Sequence, residues 1–393
     1  MLPYSFTLLN FWGVWPSTNS SKWKQYIYSV YTIFMIILVY TNTLSQIIDL
    51  FVSFKNLKQF INNAFILLST IGAGVKAAHL IWQRKTIINL MKIIQSHPCI
   101  PQDEDEQIVQ QKFNNKIKRM NFAYICLFVC TITTLTIASF FRDIPMKQLY
   151  YHAWIPFDYS SKFRFWMVYI HQVIAHGFDA SLHAAYDTLA PAMMIQTCAQ
   201  FELLNLRFEK LPQSLKKKIH KFGGNNNVMI NSQHLKREEA KKIGECVSHH
   251  IQIIEFSKKN NSIFGTSIFL QYSVSSLVLC MSVLRLSQLN TFSPDLASVF
   301  LYLISMISQV FIPCFAGNQL TVQSSQICDA IYSMDWTTLT ISTQKSLVLI
   351  MSRSQKPVQF ISGRIIPLSM NSFNNVIRIS YSIFNVLHGS SAI

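Results

Sequence analysis

The sequence predicts an all-α protein, a seven-transmembrane bundle of helices. Two observations lead to this class. Only 13% of the 393 residues are charged, about half the share of an average soluble chain. The uncharged residues are gathered into long runs, and a bilayer core about 30 Å thick needs about 20 mostly apolar helical residues.

Taken in order, seven segments have the required length. Five are free of charge or nearly so and predict spans one, two, three, five and six: 25–48, 59–75 (extending to 82 beyond Lys76), 120–141, 260–284 and 296–320. Two more, 165–198 and 371–387, predict spans four and seven, although ionisable residues interrupt both. Ionisable groups within a span are costly and usually face protein or water.

The basic residues predict the orientation. With the N-terminus in the cytosol, 25 of the 34 Lys and Arg residues fall in cytosolic segments and seven in exterior ones. Without the long segment between spans four and five, the balance is still 13 to 7. Since short cytosolic loops carry an excess of Lys and Arg, we expect a cytosolic N-terminus and an extracellular C-terminus.

Several classes of function find no support in the sequence. The net charge of +16 comes from residues between apolar runs, which fits anionic lipid headgroups and not nucleic acid. The chain has no GxSxG, HExxH, P-loop or GxGxxG motif, so we predict neither an enzyme nor a cofactor. On the predicted topology none of the eight cysteines lies in an exterior loop, which argues against a disulfide framework.

Span four carries a polar stripe. His176, Asp179 and His183 share one helical face, because they are spaced at i, i+3 and i+7. The pattern is compatible with a metal site or a proton relay. Few ligands in the other spans match it, so we interpret it as a hydrogen-bonded stripe packed against neighbouring helices and predict no metal.

Span seven carries a second stripe, formed by Ile377, Tyr381, Phe384 and Leu387. Such a stripe is usual in helix packing. It would also serve as a hydrophobic constriction in a pore that closes by dewetting.

Motifs along most of the chain resemble those of one family. A G-protein-coupled receptor is a poor match, since the N-terminus is predicted inside and the Asp-Arg-Tyr and Asn-Pro-x-x-Tyr motifs are missing. The chain is instead similar to insect odorant receptors, and the matching elements include Gly13-Val14-Trp15-Pro16, Tyr186-Asp187-Thr188-Leu189, Gly317-Asn318-Gln319-Leu320, Gly363 and Ser380-Tyr381-Ser382.

The resemblance implies a ligand-tuning subunit that assembles with a coreceptor into a heteromeric, ligand-gated cation channel, expected to be a tetramer. Such a subunit would span the plasma membrane of olfactory neuron dendrites, in contact with membrane lipid. In this family the last spans surround the pore, which implies a gate at Ile377, Tyr381, Phe384 and Leu387. The cytosolic ends of the helices anchor the subunits, which implies anchor residues Asp329, Trp336 and Pro357.

These implications divide the chain into three parts. Residues 1–320 would hold spans one to six, the cytosolic loops and a pocket in the outer half of the bundle. Residues 321–370 would form the cytosolic anchor, and residues 371–393 the pore-lining helix and a short extracellular tail.

The resemblance places a pocket for a small, volatile, hydrophobic ligand among spans two, three, four and six. Counting depth at 1.5 Å per residue gives the expected ligand-binding residues Phe65, Leu68, Ser69, Thr134, Ala138, Phe178, Ser181, Leu182, Phe300 and Ile304. The main alternative is a seven-span chemoreceptor that signals through a cytosolic partner without conducting ions. A transporter is a third reading.

Overall fold

The computed structural model describes residues 3–16, 21–52, 57–222, 228–287 and 294–391, and nearly all of them are helical. Over these residues the α-helices are α1 (Pro3–Phe11), α2 (Lys22–Val52), α3 (Leu57–Ile94), α4 (Glu104–Arg142), α5 (Lys162–Phe222), α6 (Val228–Ser287), α7 (Pro294–Ser333), α8 (Ile341–Ser354) and α9 (Met370–Ser391). A short 3-10 helix, Trp336–Thr338, precedes α8. A two-stranded hairpin of β1 (Ile361–Ser362) and β2 (Ile366–Pro367) precedes α9.

The seven predicted spans lie on α2 to α7 and on α9, so the all-α prediction is confirmed. Within the described ranges, four helices are long and apolar enough to cross a membrane, namely Lys22–Val52, Glu104–Arg142, Lys236–Leu286 and Leu296–Ser333. They correspond to predicted spans one, three, five and six. In the other three, polar residues interrupt the apolar run: Lys76 and His79 in α3, His and Asp residues in α5, and Ser and Asn residues in α9.

α5 is the central helix of the bundle. It has 61 residues, which corresponds to a length of about 90 Å, and every residue from Leu182 to Phe201 is buried. Small side chains recur in this stretch, among them Ala184, Ala185 and Ala192, and they let neighbouring backbones approach closely. Consequently α1, α2, α3, α4, α6 and α7 all pack against α5.

The segment before α2 docks onto the side of the bundle. Gly13 turns the chain after α1 with a φ of +81°, a conformation that strains residues with a side chain. The turn sets Trp12 edge-on against Phe178 of α5, with ring centroids 5.7 Å apart. It also brings the Trp15 ring under the guanidinium of Arg84, 5.4 Å from the ring centroid.

The end of the bundle where α4 begins is held by charged groups. Asp103 caps α4 by accepting a hydrogen bond from the Glu106 amide (2.9 Å), and Arg207 of α5 pairs with the buried Glu106 carboxylate (2.8 Å). Arg207 also donates to His249 Nδ1 (3.1 Å), so the other ring nitrogen carries the hydrogen and donates to Gln200 (2.8 Å). Burial, together with the Arg207 charge, lowers the pKa of His249 to about 3.

The hairpin is clamped between α6 and α7. The amide of Gly363 donates to the carbonyl of Gly265 in α6 (2.9 Å), and Gly363 has a φ of +59°. A Cβ at Gly363 would lie 2.5 Å from the Phe269 ring, and a Cβ at Gly317 of α7 would lie 2.5 Å from Leu368. Both contacts are shorter than van der Waals packing allows, so glycine is needed at both positions to fix the start of α9.

Candidate ligand cavity and buried polar network

A cavity of about 70 Å³ lies among α3, α4, α5, α6 and α7, at the end of the bundle where α4 stops. We call it the main cavity. Its lining residues are Ile66, Ser69, Leu135, Ala138, Ser139, Arg142, Tyr150, Tyr151, His176, Ser282, Arg285, Ser298, Val299 and Tyr302. One water needs only about 10–15 Å³ of such space, so the main cavity has room for several waters. A ring-sized ligand, which needs about 150 Å³, would have to displace lining side chains.

The lining of the main cavity combines apolar walls with hydroxyl groups. Ile66, Leu135 and Val299 supply apolar contact, while Ser69 and Tyr302 are among the residues that carry hydroxyls. Binding sites for small molecules usually have this composition, in which apolar burial supplies affinity and a few polar groups fix orientation. The chemistry suits a small apolar ligand that carries an oxygen atom.

The chain between α4 and α5 closes one side of the main cavity. The rings of Tyr150 and Tyr151 contact each other (centroids 4.8 Å apart) and both contact His176 of α5. The Tyr151 hydroxyl donates to the carbonyl of Gln172 (2.9 Å), and the Gln172 amide donates back to the Tyr151 carbonyl (3.2 Å). A connecting segment is thereby held in the cavity wall.

A buried polar network lies deeper in the bundle. Lys76 Nζ of α3 is 2.6 Å from Asp187 Oδ1 of α5. The other carboxylate oxygen accepts hydrogen bonds from Gln309 of α7 (2.6 Å) and Tyr124 of α4 (3.4 Å). Four helices therefore meet at one carboxylate, and the extra hydrogen bonds satisfy an ion pair that burial would otherwise make unfavourable.

His183 joins this network to the main cavity. Its Nδ1 lies 2.7 Å from the Lys76 ammonium, and because an ammonium can only donate, Nδ1 is the acceptor. The Nε2 hydrogen then points to the carbonyl of Ser69, 3.1 Å away. Ser69 also lines the main cavity, so a single residue of α3 contacts both features.

Three successive residues of α5 bond to three different helices. The Tyr186 hydroxyl donates to Ser267 of α6 (2.7 Å), Asp187 pairs with Lys76 of α3, and the Thr188 hydroxyl lies 2.9 Å from that of Ser5 in α1. This is the Tyr-Asp-Thr-Leu motif of the sequence, and its polar side chains join the helices around α5.

Comparison with known proteins decides the family. A family model described as 7tm Odorant receptor matches residues 56–381. The chain belongs to the 7tm odorant receptor family. The resemblance drawn from the sequence motifs is thereby confirmed, and membership places the chain among receptors and not among enzymes.

Relatives and solved structures match along most of the odorant receptor chain. Odorant receptor Or2 of Anopheles gambiae is 21% identical over 344 residues, 87% of each chain. Odorant receptor 2a of Drosophila melanogaster is 22% identical and covers 96% of this chain and 94% of its own. The olfactory receptor OR5 of Machilis hrabei has the same fold, with a TM-score of 0.83 at 17% identity over 98% of this chain and 96% of its own. OR5 has also been solved in complex with eugenol.

The expected ligand-binding residues divide into two groups. Ser69 and Ala138 line the main cavity, and the side chain of Phe65 is outside the described part of the structure. The other expected residues have described side chains that do not line the main cavity, namely Leu68, Thr134, Phe178, Ser181, Leu182, Phe300 and Ile304.

Helix rotation accounts for much of this division. The main cavity is lined by Leu135 and Val299, which are next in sequence to the expected residues Thr134 and Phe300. One residue turns an α-helix by about 100°, so residues at the right depth can still face away from the main cavity. Phe178 differs, since it is buried against Trp12.

The predicted polar stripe of α5 reaches from the main cavity to the buried network. His176 lines the main cavity, and His183 binds Lys76. Asp179 lies between them, 2% exposed, and neither of its carboxyl oxygens has a hydrogen-bond partner among the described residues. The predicted hydrogen bonding of the stripe is therefore found for His183 and not for Asp179.

The partners of Asp187 are absent from the residues expected from sequence. Lys76 is expected only to interrupt span two, and Gln309 and Tyr124 carry no motif. One signal does point to the pair, because one basic residue in a span and one acidic residue in another each need an opposite charge. Tyr150 and Tyr151 are also absent from the expected set, since they precede span four and have no helical periodicity to mark them.

The expected gate residues lie on α9, which packs against α6 and α7. The rings of Tyr381 and Phe384 are on one side, 6.3 Å apart, and Tyr381 is 62% exposed. Ser380 is buried and donates to the Ser276 carbonyl of α6 (3.2 Å). Ile377 packs against a core cluster, and the side chain of Leu387 is outside the described residues.

The expected anchor residues lie near α8, at the end of the bundle opposite the main cavity. Asp329 and Pro357 are exposed. Trp336 is half-buried and packs against the main hydrophobic core. Their role in subunit contact stays a prediction.

Proposed function

We propose that this odorant receptor is the tuning subunit of a heteromeric cation channel, which a small volatile opens by binding in the main cavity. Its partner is an odorant receptor coreceptor, and the assembly is a tetramer in the plasma membrane of olfactory neuron dendrites. The N-terminus and the anchor are cytosolic, and the C-terminus is extracellular.

The lining of the main cavity supports the ligand class. The eugenol complex of OR5 pairs a receptor of this fold with an aromatic volatile that carries oxygen. In this chain, apolar side chains such as Val299 and hydroxyls such as that of Tyr302 line the main cavity together. A ligand of similar chemistry would gain affinity mainly from apolar burial and orientation from a hydrogen bond.

One cluster of side chains carries the proposal that binding opens the channel. Leu279 of α6 and Met306 of α7 form a buried cluster, against which both Tyr302 and Ile377 pack. Tyr302 lines the main cavity, and Ile377 belongs to the proposed gate. A ligand that displaces Tyr302 thus acts on α9 through a single layer of packed side chains.

The energetics limit what such a ligand can do. It shifts the equilibrium between closed and open packing only by its preference for the open one. A volatile that fills the main cavity equally well in both states binds without opening the channel and acts as an antagonist.

The exposed face of α9 supports a pore built from several subunits. Tyr381 is on the exposed side of a helix that packs against α6 and α7. Large apolar side chains are also exposed outside the predicted spans, at Tyr332, Ile341, Leu349 and Ile365. Large exposed apolar patches mark protein interfaces, and we propose that these side chains contribute to the subunit anchor.

The proposal is tested by whole-cell recording from cells that express this chain alone, an insect coreceptor alone, or both, during a screen of volatiles. We expect particular volatiles to evoke a cation current only in cells that express both this chain and the coreceptor. If the pair reaches the cell surface without current while a G-protein reporter responds, the chain signals through a cytosolic partner and the channel proposal is wrong.

The proposed orientation has its own test. An epitope placed after Ile393 should be stained by antibody in intact cells, and one placed before Met1 only after permeabilisation. The reverse pattern would contradict the cytosolic N-terminus.

A further inference from the structure

A second recess, larger than the main cavity, opens between α2, α5 and residues 154–157. It has a volume of about 280 Å³, and its lining includes Asn42, Trp154, Phe157, Met167 and Gln172. We call it the α2–α5 groove. Its size suits a small volatile, since pockets for drug-sized molecules begin at about 300 Å³.

The open side of the α2–α5 groove faces apolar surroundings. Leu44 of α2 and Ile170 of α5 are each next in sequence to a lining residue, and both are exposed apolar residues of predicted spans. At its rim, Trp154 and Met167 are exposed as well. In a membrane this surface contacts lipid, the phase into which apolar volatiles partition.

The inner end of the α2–α5 groove offers a hydrogen-bond donor. Asn42 is 2% exposed, and its side chain interacts with the Tyr151 hydroxyl. Its Nδ2 nevertheless has no acceptor in good hydrogen-bond geometry among the described residues. A buried donor without an acceptor is unfavourable, so a bound molecule that brings an acceptor oxygen relieves it. The groove therefore matches an apolar body with a carbonyl, ester, ether or phenol oxygen.

A thin wall separates the α2–α5 groove from the main cavity. Tyr151 lines the main cavity, and Gln172 lines the groove. The two residues are joined by hydrogen bonds in both directions (2.9 and 3.2 Å). Separation of this one pair would connect the two spaces.

We propose that the α2–α5 groove is the entry site for oxygenated volatiles. They bind there from the membrane, accept a hydrogen bond from Asn42, and pass the Tyr151–Gln172 pair into the main cavity. The inference rests on the proposed function, because the main cavity is taken as the final binding site.

The test compares obstructed grooves with matched controls. Thr41→Trp and Met167→Trp place an indole in the groove, since both residues line it. Leu44→Trp and Ile170→Trp add the same ring on the neighbouring exposed surface, outside the groove lining. The probe is the strongest ester, ketone or phenol ether that evokes current from the native pair, applied by rapid solution exchange.

Obstruction raises the barrier to entry and exit alike, so onset and decay of the current should both slow by about fivefold while the half-effective concentration stays within about twofold. The control variants should keep native rates. Asn42→Ala should slow onset for the oxygenated probe more than for a hydrocarbon agonist. If the tryptophan variants misfold, Thr41→Leu replaces them as a smaller obstruction of the groove.

Several results would overturn the entry site. Native rates in Thr41→Trp and Met167→Trp would exclude the groove from the route. Slower onset with unchanged decay would identify a site that changes equilibrium affinity. A native pair that responds only to hydrocarbons would overturn the oxygenated class, whereas a native pair without any evoked current contradicts the proposed function itself.

Discussion

Lys76 Nζ lies 2.6 Å from Asp187 Oδ1, and the two side chains are only 7% and 2% exposed. The pair joins α3 to α5 at the centre of the bundle. Gln309 and Tyr124 bring α7 and α4 to the same carboxylate. Because α3, α4, α5 and α7 also line the main cavity, the ion pair fixes the frame in which a ligand would bind.

Removing one partner should destabilise the receptor strongly. Lys76→Met leaves a buried carboxylate without its counter-ion, and Asp187→Leu leaves a buried ammonium, at a cost of about 3–5 kcal/mol each. The double variant removes both charges and should recover much of the loss. Fluorescence-detected size exclusion of detergent-solubilised receptor, before and after heating, measures the effect.

The exposed pair Lys210–Asp105 provides the control, since exposed ion pairs contribute little to stability. Asp105→Asn should leave the melting temperature nearly unchanged. A Lys76→Met variant as stable as Asp105→Asn would show that the buried pair does not hold the bundle.

The glycines that clamp the hairpin should resist substitution. Gly363→Ala would set a Cβ 2.5 Å from the Phe269 ring in a left-handed turn, and Gly317→Ala would set one 2.5 Å from Leu368. Overpacking of this kind typically costs about 1–3 kcal/mol. We expect lower melting temperatures for both variants.

Gly244 of α6 is the matched control, because nothing lies within 4 Å of its added Cβ. Gly244→Ala should be neutral or stabilising, by up to about 1 kcal/mol, since alanine favours the helix. Equal melting temperatures for Gly363→Ala and Gly244→Ala would contradict the clamp.

Filling the main cavity should weaken the response to ligand. Ala138 lines it, and Ala138→Leu adds three carbon atoms there. Overpacking between the leucine and the ligand would cost about 1–3 kcal/mol of binding free energy and so raise the half-effective concentration by about 5–150-fold. Ala123 is exposed on the same helix, and Ala123→Leu should respond as the native chain does.

Phe300 distinguishes the main cavity from the pocket expected from sequence. It is exposed and absent from the cavity lining, so Phe300→Ala should keep native sensitivity. A large loss in Phe300→Ala with none in Ala138→Leu would place the ligand elsewhere.

Helical structure over the seven predicted spans could be predicted because a membrane permits few alternatives. The helix ends could not, since α5 and α6 extend far beyond predicted spans four and five. In hydrocarbon every backbone polar group must be satisfied internally, so long uncharged runs become helices. The polar stripe of α5 could also be predicted, since His176 and His183 share a face through sequence spacing alone.

The contacts between helices could not be predicted in the same way. Which side of a helix faces its neighbour depends on tilt and rotation, so Val299 lines the main cavity while the adjacent Phe300 is exposed. The pairing of Lys76 with Asp187 joins residues 111 positions apart, and no local periodicity reports it. The sequence shows Gly363 only as part of a family motif. The structure shows why glycine is needed there, because a Cβ would clash with the neighbouring Phe269 ring.

Acid should destabilise the receptor through His249. Its pKa is about 3 in the folded protein because of burial and the adjacent Arg207, and about 6.5 in the unfolded chain. The unfolded chain therefore binds more protons between these values, and the unfolding free energy falls as pH drops below 6.5. From pH 7 to pH 5 this residue accounts for about 2 kcal/mol.

Melting temperatures at pH 7 and pH 5 check this effect. His249→Gln retains an acceptor for Arg207 and a donor for Gln200 without titrating, so its melting temperature should depend less on pH. His152 is exposed, and His152→Gln should keep the native pH dependence. An identical pH dependence in all three proteins would contradict the role of His249.

We propose that this chain forms part of an odorant-gated pore, and the reversal potential of the evoked current measures this. Cells would express the native coreceptor with either native receptor or Tyr381→Ala, with external sodium replaced in part by a large organic cation. Ile379, exposed on the opposite side of α9, provides the control Ile379→Ala. We expect Tyr381→Ala to shift the reversal potential and Ile379→Ala to leave it unchanged. An unchanged reversal potential in both Tyr381→Ala and Phe384→Ala, with evoked currents of native size, would show that this chain does not line the pore.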